Sequence, residues 1–166
     1  MKKYGLAILI FSNIANAAWP QLLMAEKLNS SKSVSFVIHG KPSNKITIVF
    51  FWASWCQYCK ELGTSLSRIE KGNSGLFRMV GIATDIKKQD SVGPSKNYFR
   101  FIMEQYWINQ QTTLNLNISR LPTVAIIDKD GRIDTIYEGS ESDKINYLKK
   151  RLFYLEKKSS ADLDSM

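Results

Sequence analysis

The sequence predicts an α/β protein, a central mixed sheet of four to five strands flanked by helices on both faces. Three observations predict it. Ile46 to Trp52 is a nearly continuous run of β-branched and aromatic residues, which fits a strand buried on both faces. From about Cys56 the apolar spacing turns helical, and Leu76 to Thr84 then reads as a second core strand, so this half implies a parallel strand–helix–strand crossover. Thr123 to Ile127 and Arg132 to Tyr137, joined by Asp128-Lys129-Asp130-Gly131, read as an antiparallel hairpin. The 166 residues amount to about one domain, and a hydrophobic fraction of 44% is enough to build one core without metals or structural disulfides.

The elements follow in order. Residues 1–17 read as a signal peptide: Lys2 and Lys3 start it, Leu6 to Ile14 is mostly apolar, and Ala15-Asn16-Ala17 offers small residues for cleavage. The alternative is an uncleaved membrane anchor, but the apolar run is far short of the ~20 residues a spanning helix needs. Residues 18–33 read as an N-terminal helical extension, because Trp19 to Leu28 has helix-like apolar spacing and Pro20 suits a first turn. A domain over 34–156 follows. Val34 to Ile38 is a short strand, and Gly40 to Lys45 a turn. After Ile46 to Trp52, a helix carries Cys59, Leu62, Leu66 and Ile69 on one face and closes at Lys71-Gly72-Asn73.

Asp85 to Ser95, with Gly93-Pro94, reads as a loop, and Lys96 to Trp107 as a helix with Phe99, Ile102, Met103 and Tyr106 on one stripe. Ile108 to Arg120 has no clear pattern. A closing helix spans Ser140 to Leu155, with Ile145, Leu148, Leu152 and Leu155 inward, and 157–166 reads as a flexible tail.

The formal net charge is +8, and loss of Lys2 and Lys3 with the signal leaves +6. The basic residues are scattered and form no stripe interleaved with aromatics, so nucleic acid is not an expected partner. Lys149, Lys150, Arg151, Lys157 and Lys158 read as the solvated face of the last helix.

Only two cysteines are present, three residues apart. A bond between them closes almost no loop and contributes little stability, so redox exchange explains them better. They sit where a buried strand hands over to a helix. A cysteine there faces unpaired N–H groups and the positive end of the helix dipole, which favour the thiolate and lower the pKa of Cys56. Lys60 adds a nearby positive charge. Cys59, one turn on, is placed to resolve a mixed disulfide on Cys56. Zinc also uses such pairs, but a tetrahedral site needs four ligands and His39 is the only other soft-type ligand. No metal or other cofactor is expected. Trp52 reads as core and Trp55 as part of a docking surface.

Phe50-Phe51-Trp52-Ala53-Ser54-Trp55-Cys56-Gln57-Tyr58-Cys59 resembles the active-site segment of the thioredoxin superfamily. Arg120-Leu121-Pro122-Thr123, whose proline lies 66 positions after Cys56, resembles that superfamily's cis-proline signature. The "FWASWC" wording and the signal peptide are similar to the exported TlpA-like and ResA-like branch. The resemblance covers roughly residues 34 to 155 and implies a thioredoxin-like fold. It implies Cys56, Cys59 and a cis Pro122 as catalytic residues. Trp55, Gln57, Tyr58 and Leu121 would dock substrate, the backbone of Leu121 pairing with an extended strand. Partners would be protein thiols and disulfides of exported proteins, together with a membrane redox partner, and the location periplasmic.

The departures also inform. Many thioredoxins carry a buried acid six residues before the first cysteine, where this chain has Phe50. TlpA-like proteins often place Glu three residues after the second cysteine, where this chain has Leu62. Glu61 comes one residue early, about 100° around the helix, and stays a candidate acid/base beside Lys60 as a tuning charge. The favoured function is a specialised reductant or isomerase-type partner. The alternatives are a general oxidant, an envelope assembly module with dispensable redox activity, and copper delivery. The first lacks room for the usual helical insertion between Cys59 and Pro122. The last lacks its C-x-x-x-C and distal histidine.

Overall fold

The computed structural model describes residues 19–164 except 21, 31, 74, 101, 103 and 140–143. The expected signal peptide lies outside the described residues. The chain runs β1 (Leu22–Lys27), β2 (Ser33–Val37), β3 (Ile46–Trp52), α1 (Gln57–Gly72), β4 (Phe77–Ala83), α2 (Lys88–Asn97), β5 (Glu104–Trp107), α3 (Gln110–Asn115), β6 (Thr123–Ile127), β7 (Ile133–Glu138) and α4 (Lys144–Asp164).

Why β3 is central follows from its side chains. All seven residues are buried, because the alternating Cβ directions of a strand send them to two different cores. Ile46, Ile48, Phe50 and Trp52 pack on one face with Cys59, Leu66 and Ile69 of α1 and Leu148, Leu152 and Leu155 of α4. Val49 and Phe51 pack on the other with Trp19, Tyr106 and Leu116. β4 lies parallel beside β3, in register from Ile46 opposite Phe77 to Trp52 opposite Ala83, and β6 lies antiparallel on its other side. The crossover and the β6–β7 hairpin are therefore as expected.

Among the described residues the sheet has seven strands, in the order β2-β1-β5-β4-β3-β6-β7, where four to five were expected. The extra strands are β1 and β5. The helix expected over Trp19 to Leu28 is β1: Leu23 and Ala25 are buried, Leu22 and Met24 exposed, a period of two. Four consecutive apolar residues fit either period. The antiparallel partner β2, from Leu22 opposite Val37 to Glu26 opposite Ser33, decides between them.

The helix expected over Lys96 to Trp107 is instead the end of α2, a connection and β5. The stripe splits because its two ends belong to opposite sides of the sheet. Phe99 and Ile102 are buried on the α1 face, while Tyr106 is buried on the other; Met103 lies outside the described residues. The expected loop over Asp85 to Ser95 holds most of α2. Its buried residues are Ser91 and Ser95, so no apolar stripe marks it. Finally, α4 continues to Asp164 through the expected tail.

Gly63 permits the close approach of α1 to β3. A Cβ there would stand 2.8 Å from Phe99 Cε1 and 3.0 Å from Phe50 Cε1.

Candidate active site

The site begins where β3 ends. After Trp52 the chain turns through Ala53, Ser54 and Trp55, and the Cys56 N–H donates to the Ala53 carbonyl at 3.1 Å. Cys56 is the N-cap of α1, in extended backbone, and its Sγ accepts from the Cys59 N–H at 3.2 Å. The sulfur thus stands where helix-start N–H groups lack backbone partners. Cys56 and Cys59 form a disulfide, S–S 2.01 Å. The two sulfurs are unequal: Cys56 keeps 5% of its surface exposed and Cys59 none.

Pro122 arrives from the other side of β3. The Leu121–Pro122 peptide bond is cis. Thr123 pairs with Phe51 in the antiparallel β3–β6 ladder, so Pro122 comes to the Trp52 end of β3, the end from which the cysteine turn departs. The Pro122 carbonyl accepts from the Gly139 N–H at 2.8 Å. Leu121 is half-buried against both cores and makes no backbone hydrogen bond to another described residue. The sheet register therefore unites the two motifs that the sequence separates.

Around the disulfide, Trp55 (73% exposed), Gln57 and Tyr58 stand in solvent. The two expected tuning residues stand elsewhere. Lys60 Nζ lies 4.4 Å from the centre of the Tyr98 ring, a cation–π contact that carries its charge toward the end of α2. Glu61 is exposed just past the first turn of α1. Phe50, at the position of the acid missing from the motif, is fully buried, its ring 5.9 Å from that of Phe99. His39 hydrogen-bonds through Nε2 with the Trp19 carbonyl, away from both motifs.

Sequence reasoning missed Asp85. Its carboxylate is buried, 2% exposed, just past the end of β4. It accepts from the Ser54 N–H at 3.0 and 3.1 Å, from Ser54 Oγ at 2.7 Å and from Ser91 Oγ at 2.6 Å. An acid at the C-terminal end of a parallel strand was the available signal, since such ends gather functional groups in α/β sheets.

A family model of thioredoxin-like proteins matches residues 44–133, which hold the β3–α1–β4 crossover, both motifs and the hairpin turn. The chain belongs to the thioredoxin-like family. It is a thiol–disulfide oxidoreductase, with its cysteine pair on the family's strand-to-helix turn. A "Thioredoxin-like protein" of Haemophilus influenzae is 25% identical over 150 residues, 82% of this chain and 79% of that protein. Among solved structures, MTB dsbF in its mixed oxidized and reduced forms matches with a TM-score of 0.65 at 19% identity, over 81% of this chain and 96% of that one. A secreted Mycobacterium tuberculosis disulfide oxidoreductase, homologous to E. coli DsbE, matches with a TM-score of 0.62 at 20% identity, over 80% of this chain and 95% of that one. At these identities the structural likeness shows the thioredoxin-like fold. Among the described residues, no helix is long and apolar enough to cross a membrane.

Proposed function

We propose that this protein is exported to the periplasm and there exchanges disulfides with protein partners, as a specialised reductant or isomerase-type partner. The observation that carries the reading is the inequality of the two cysteines: Cys56, the N-cap of α1, keeps 5% of its surface exposed, and Cys59, one turn behind it, keeps none.

In the reduced protein, helix-start N–H groups favour a thiolate on Cys56. That thiolate attacks one sulfur of a partner disulfide. The Cys56–partner bond forms, the partner's S–S bond breaks, and the leaving thiolate takes a proton from water. Cys59, as a thiolate after losing its proton, then attacks the Cys56 sulfur. This releases the second partner thiol and leaves the Cys56–Cys59 disulfide. Two electrons pass from the dithiol to the partner. A membrane redox partner restores the dithiol.

Pro122 supplies no N–H next to the sulfurs, and its cis bond leaves Leu121 backbone groups open to an extended segment. Trp55, Gln57 and Tyr58 border that segment. Lys60, engaged with Tyr98, and Glu61, in solvent, are secondary tuning candidates. Export is supported by the basic, apolar and small-residue succession of residues 1–17, and by the secreted relative.

Equilibration of the purified protein in glutathione buffers tests the reading. A reduction potential near that of thioredoxin, about −270 mV, is expected; one near the strong oxidants, about −120 mV, would overturn the preferred direction. A Cys59→Ala variant should trap partners as mixed disulfides. Full function of a Cys56→Ser, Cys59→Ser variant would leave an assembly module instead.

A further inference from the structure

The turn that carries Cys56 is fastened to the segment after β4. Because β3 and β4 run parallel and in register to their last residues, the residues following each emerge side by side. Thr84 N–H donates to the Trp52 carbonyl at 2.9 Å. Asp85 then takes both donors of Ser54 and the hydroxyl of Ser91, while its own carbonyl accepts from Trp107 Nε1 at 2.8 Å. Ser54 and Asp85 are thus held together by groups from β5 and α2 as well as from each other.

Each of these two residues is followed by a large apolar side chain in solvent. Trp55 is 73% exposed and Ile86 75%, the two highest values for large apolar side chains among the described residues. Single exposed apolar residues are ordinary on protein surfaces. Two of them follow residues locked together by hydrogen bonds, and one of these segments leads directly into the disulfide. No packing need accounts for Ile86, since Asp85, Ser91 and Trp107 already anchor its segment.

We propose that Ile86 is a second docking residue beside Trp55, and that it selects partner segments with a bulky apolar side chain next to their cysteine. The inference rests on the exchange activity proposed above. The occupant is a segment of a partner protein, because a partner's sulfur must reach Cys56 and its flanking residues must then cover the surface around it. An aliphatic or aromatic neighbour is the chemistry that gains, since removing water from Trp55 and Ile86 is favourable only against apolar surface.

Two peptides test this, identical except for Leu or Ser next to a single cysteine, each offered as its symmetric disulfide to the reduced protein. Reduction releases two peptide thiols and leaves the Cys56–Cys59 disulfide, and glutathione disulfide serves as the small reference substrate. The protein is expected to reduce the Leu peptide about tenfold faster than the Ser peptide, the gain from half-burying one aliphatic side chain on each partner. In an Ile86→Ser variant that ratio should fall to about twofold. Ile86 is solvent-exposed, so the substitution spares the core.

A ratio near one in the starting protein, or one unchanged in Ile86→Ser, would overturn the proposal. Equal slowing on both peptides and on glutathione disulfide would do the same, placing Ile86 in the geometry of the disulfide and not in docking. Absence of exchange with glutathione disulfide by the starting protein is the separate result that removes the activity itself.

Discussion

Replacing Asp85 with alanine is expected to be among the most damaging single changes near the cysteine turn. The carboxylate satisfies three donors: the Ser54 N–H, the Ser54 hydroxyl and the hydroxyl of Ser91, which is fully buried. Hydrogen bonds to a charged acceptor contribute about 1.5–3 kcal/mol each. Against this, alanine avoids the cost of burying a carboxylate, and the Ser54 hydroxyl can turn toward water. The balance is a loss of about 3 kcal/mol, within the range for breaking a buried polar network. Asp85→Asn keeps one acceptor oxygen and the shape, and should lose about 1–2 kcal/mol. Ser54→Ala removes one donor and leaves the carboxylate two others, for a loss of about 1 kcal/mol. Urea unfolding of the oxidised protein measures all three; a slope of about 1.5 kcal/mol per molar turns the alanine loss into a midpoint drop of about 2 M. The order alanine, asparagine, then Ser54→Ala is as important as the sizes. A loss under about 1 kcal/mol for Asp85→Ala would refute the claim that this carboxylate holds the turn.

Three further perturbations have definite outcomes. Gly131 has φ +81°, and a Cβ on it would lie 2.6 Å from the Lys41 backbone N and O, so Gly131→Ala should cost about 2–3 kcal/mol by thermal or urea unfolding. At Gly63 alanine gains about 1 kcal/mol of helix propensity, yet its Cβ meets the immobile rings of Phe50 and Phe99. Overpacking costs about 1–3 kcal/mol, so a net loss of about 1 kcal/mol is expected, and a stabilised Gly63→Ala would remove the close-approach argument. Glu104 is held below the usual carboxylate range, first by its hydrogen bonds with Arg78 at 2.7 and 2.6 Å. A lowered folded-state value means the stabilisation is present above the unfolded value of about 4.3 and lost as pH falls through the folded one. Both side chains are partly exposed, so the effect is about 1 kcal/mol or less. The starting protein should lose slightly more stability than Glu104→Gln between about pH 5 and pH 3; identical profiles would discard the pair as a contributor.

Much of this structure is legible from local pattern, and the parts that are not share a cause. Ile46–Trp52 and Thr123–Ile127 are strands as read, because β-branched runs of that length have no competing period. Cys56 is legible because a strand-to-helix boundary is a local event. By contrast, β1 is decided by β2, and the stripe of Phe99, Ile102 and Tyr106 is divided by a sheet that no window of sequence contains. Asp85 carried only a weak signal, its place after a parallel strand, for a related reason. Its position after a strand does not say which donors it meets, because its partners Ser54 and Ser91 lie 31 and 6 residues away. A search for a buried acid in the motif ends at Phe50; the one that touches the turn comes from the segment after β4.

The direction of electron flow can be reached through folding alone. Reduction potential and stability are linked, because the oxidised and reduced proteins unfold to chains that differ only in the local disulfide. Whatever separates the potential of Cys56–Cys59 from that of its unfolded pair must appear as a difference in folding free energy between the two forms. For this two-electron couple, about 30 mV corresponds to about 1.4 kcal/mol, so the roughly 150 mV between thioredoxin and the strong oxidants amounts to about 7 kcal/mol. That gap is far larger than the error of a urea titration. In the structure two effects oppose each other. The Cys59 N–H directed at Cys56 Sγ would also hold a thiolate there, which favours the reduced form. Tight burial of Cys59 beneath Cys56 keeps the sulfurs in bonding position without reorganisation, which favours the oxidised form. The reductant reading requires the second effect to win. The oxidised protein should therefore unfold at higher urea than the dithiol protein, and the reverse order would make the site an oxidant.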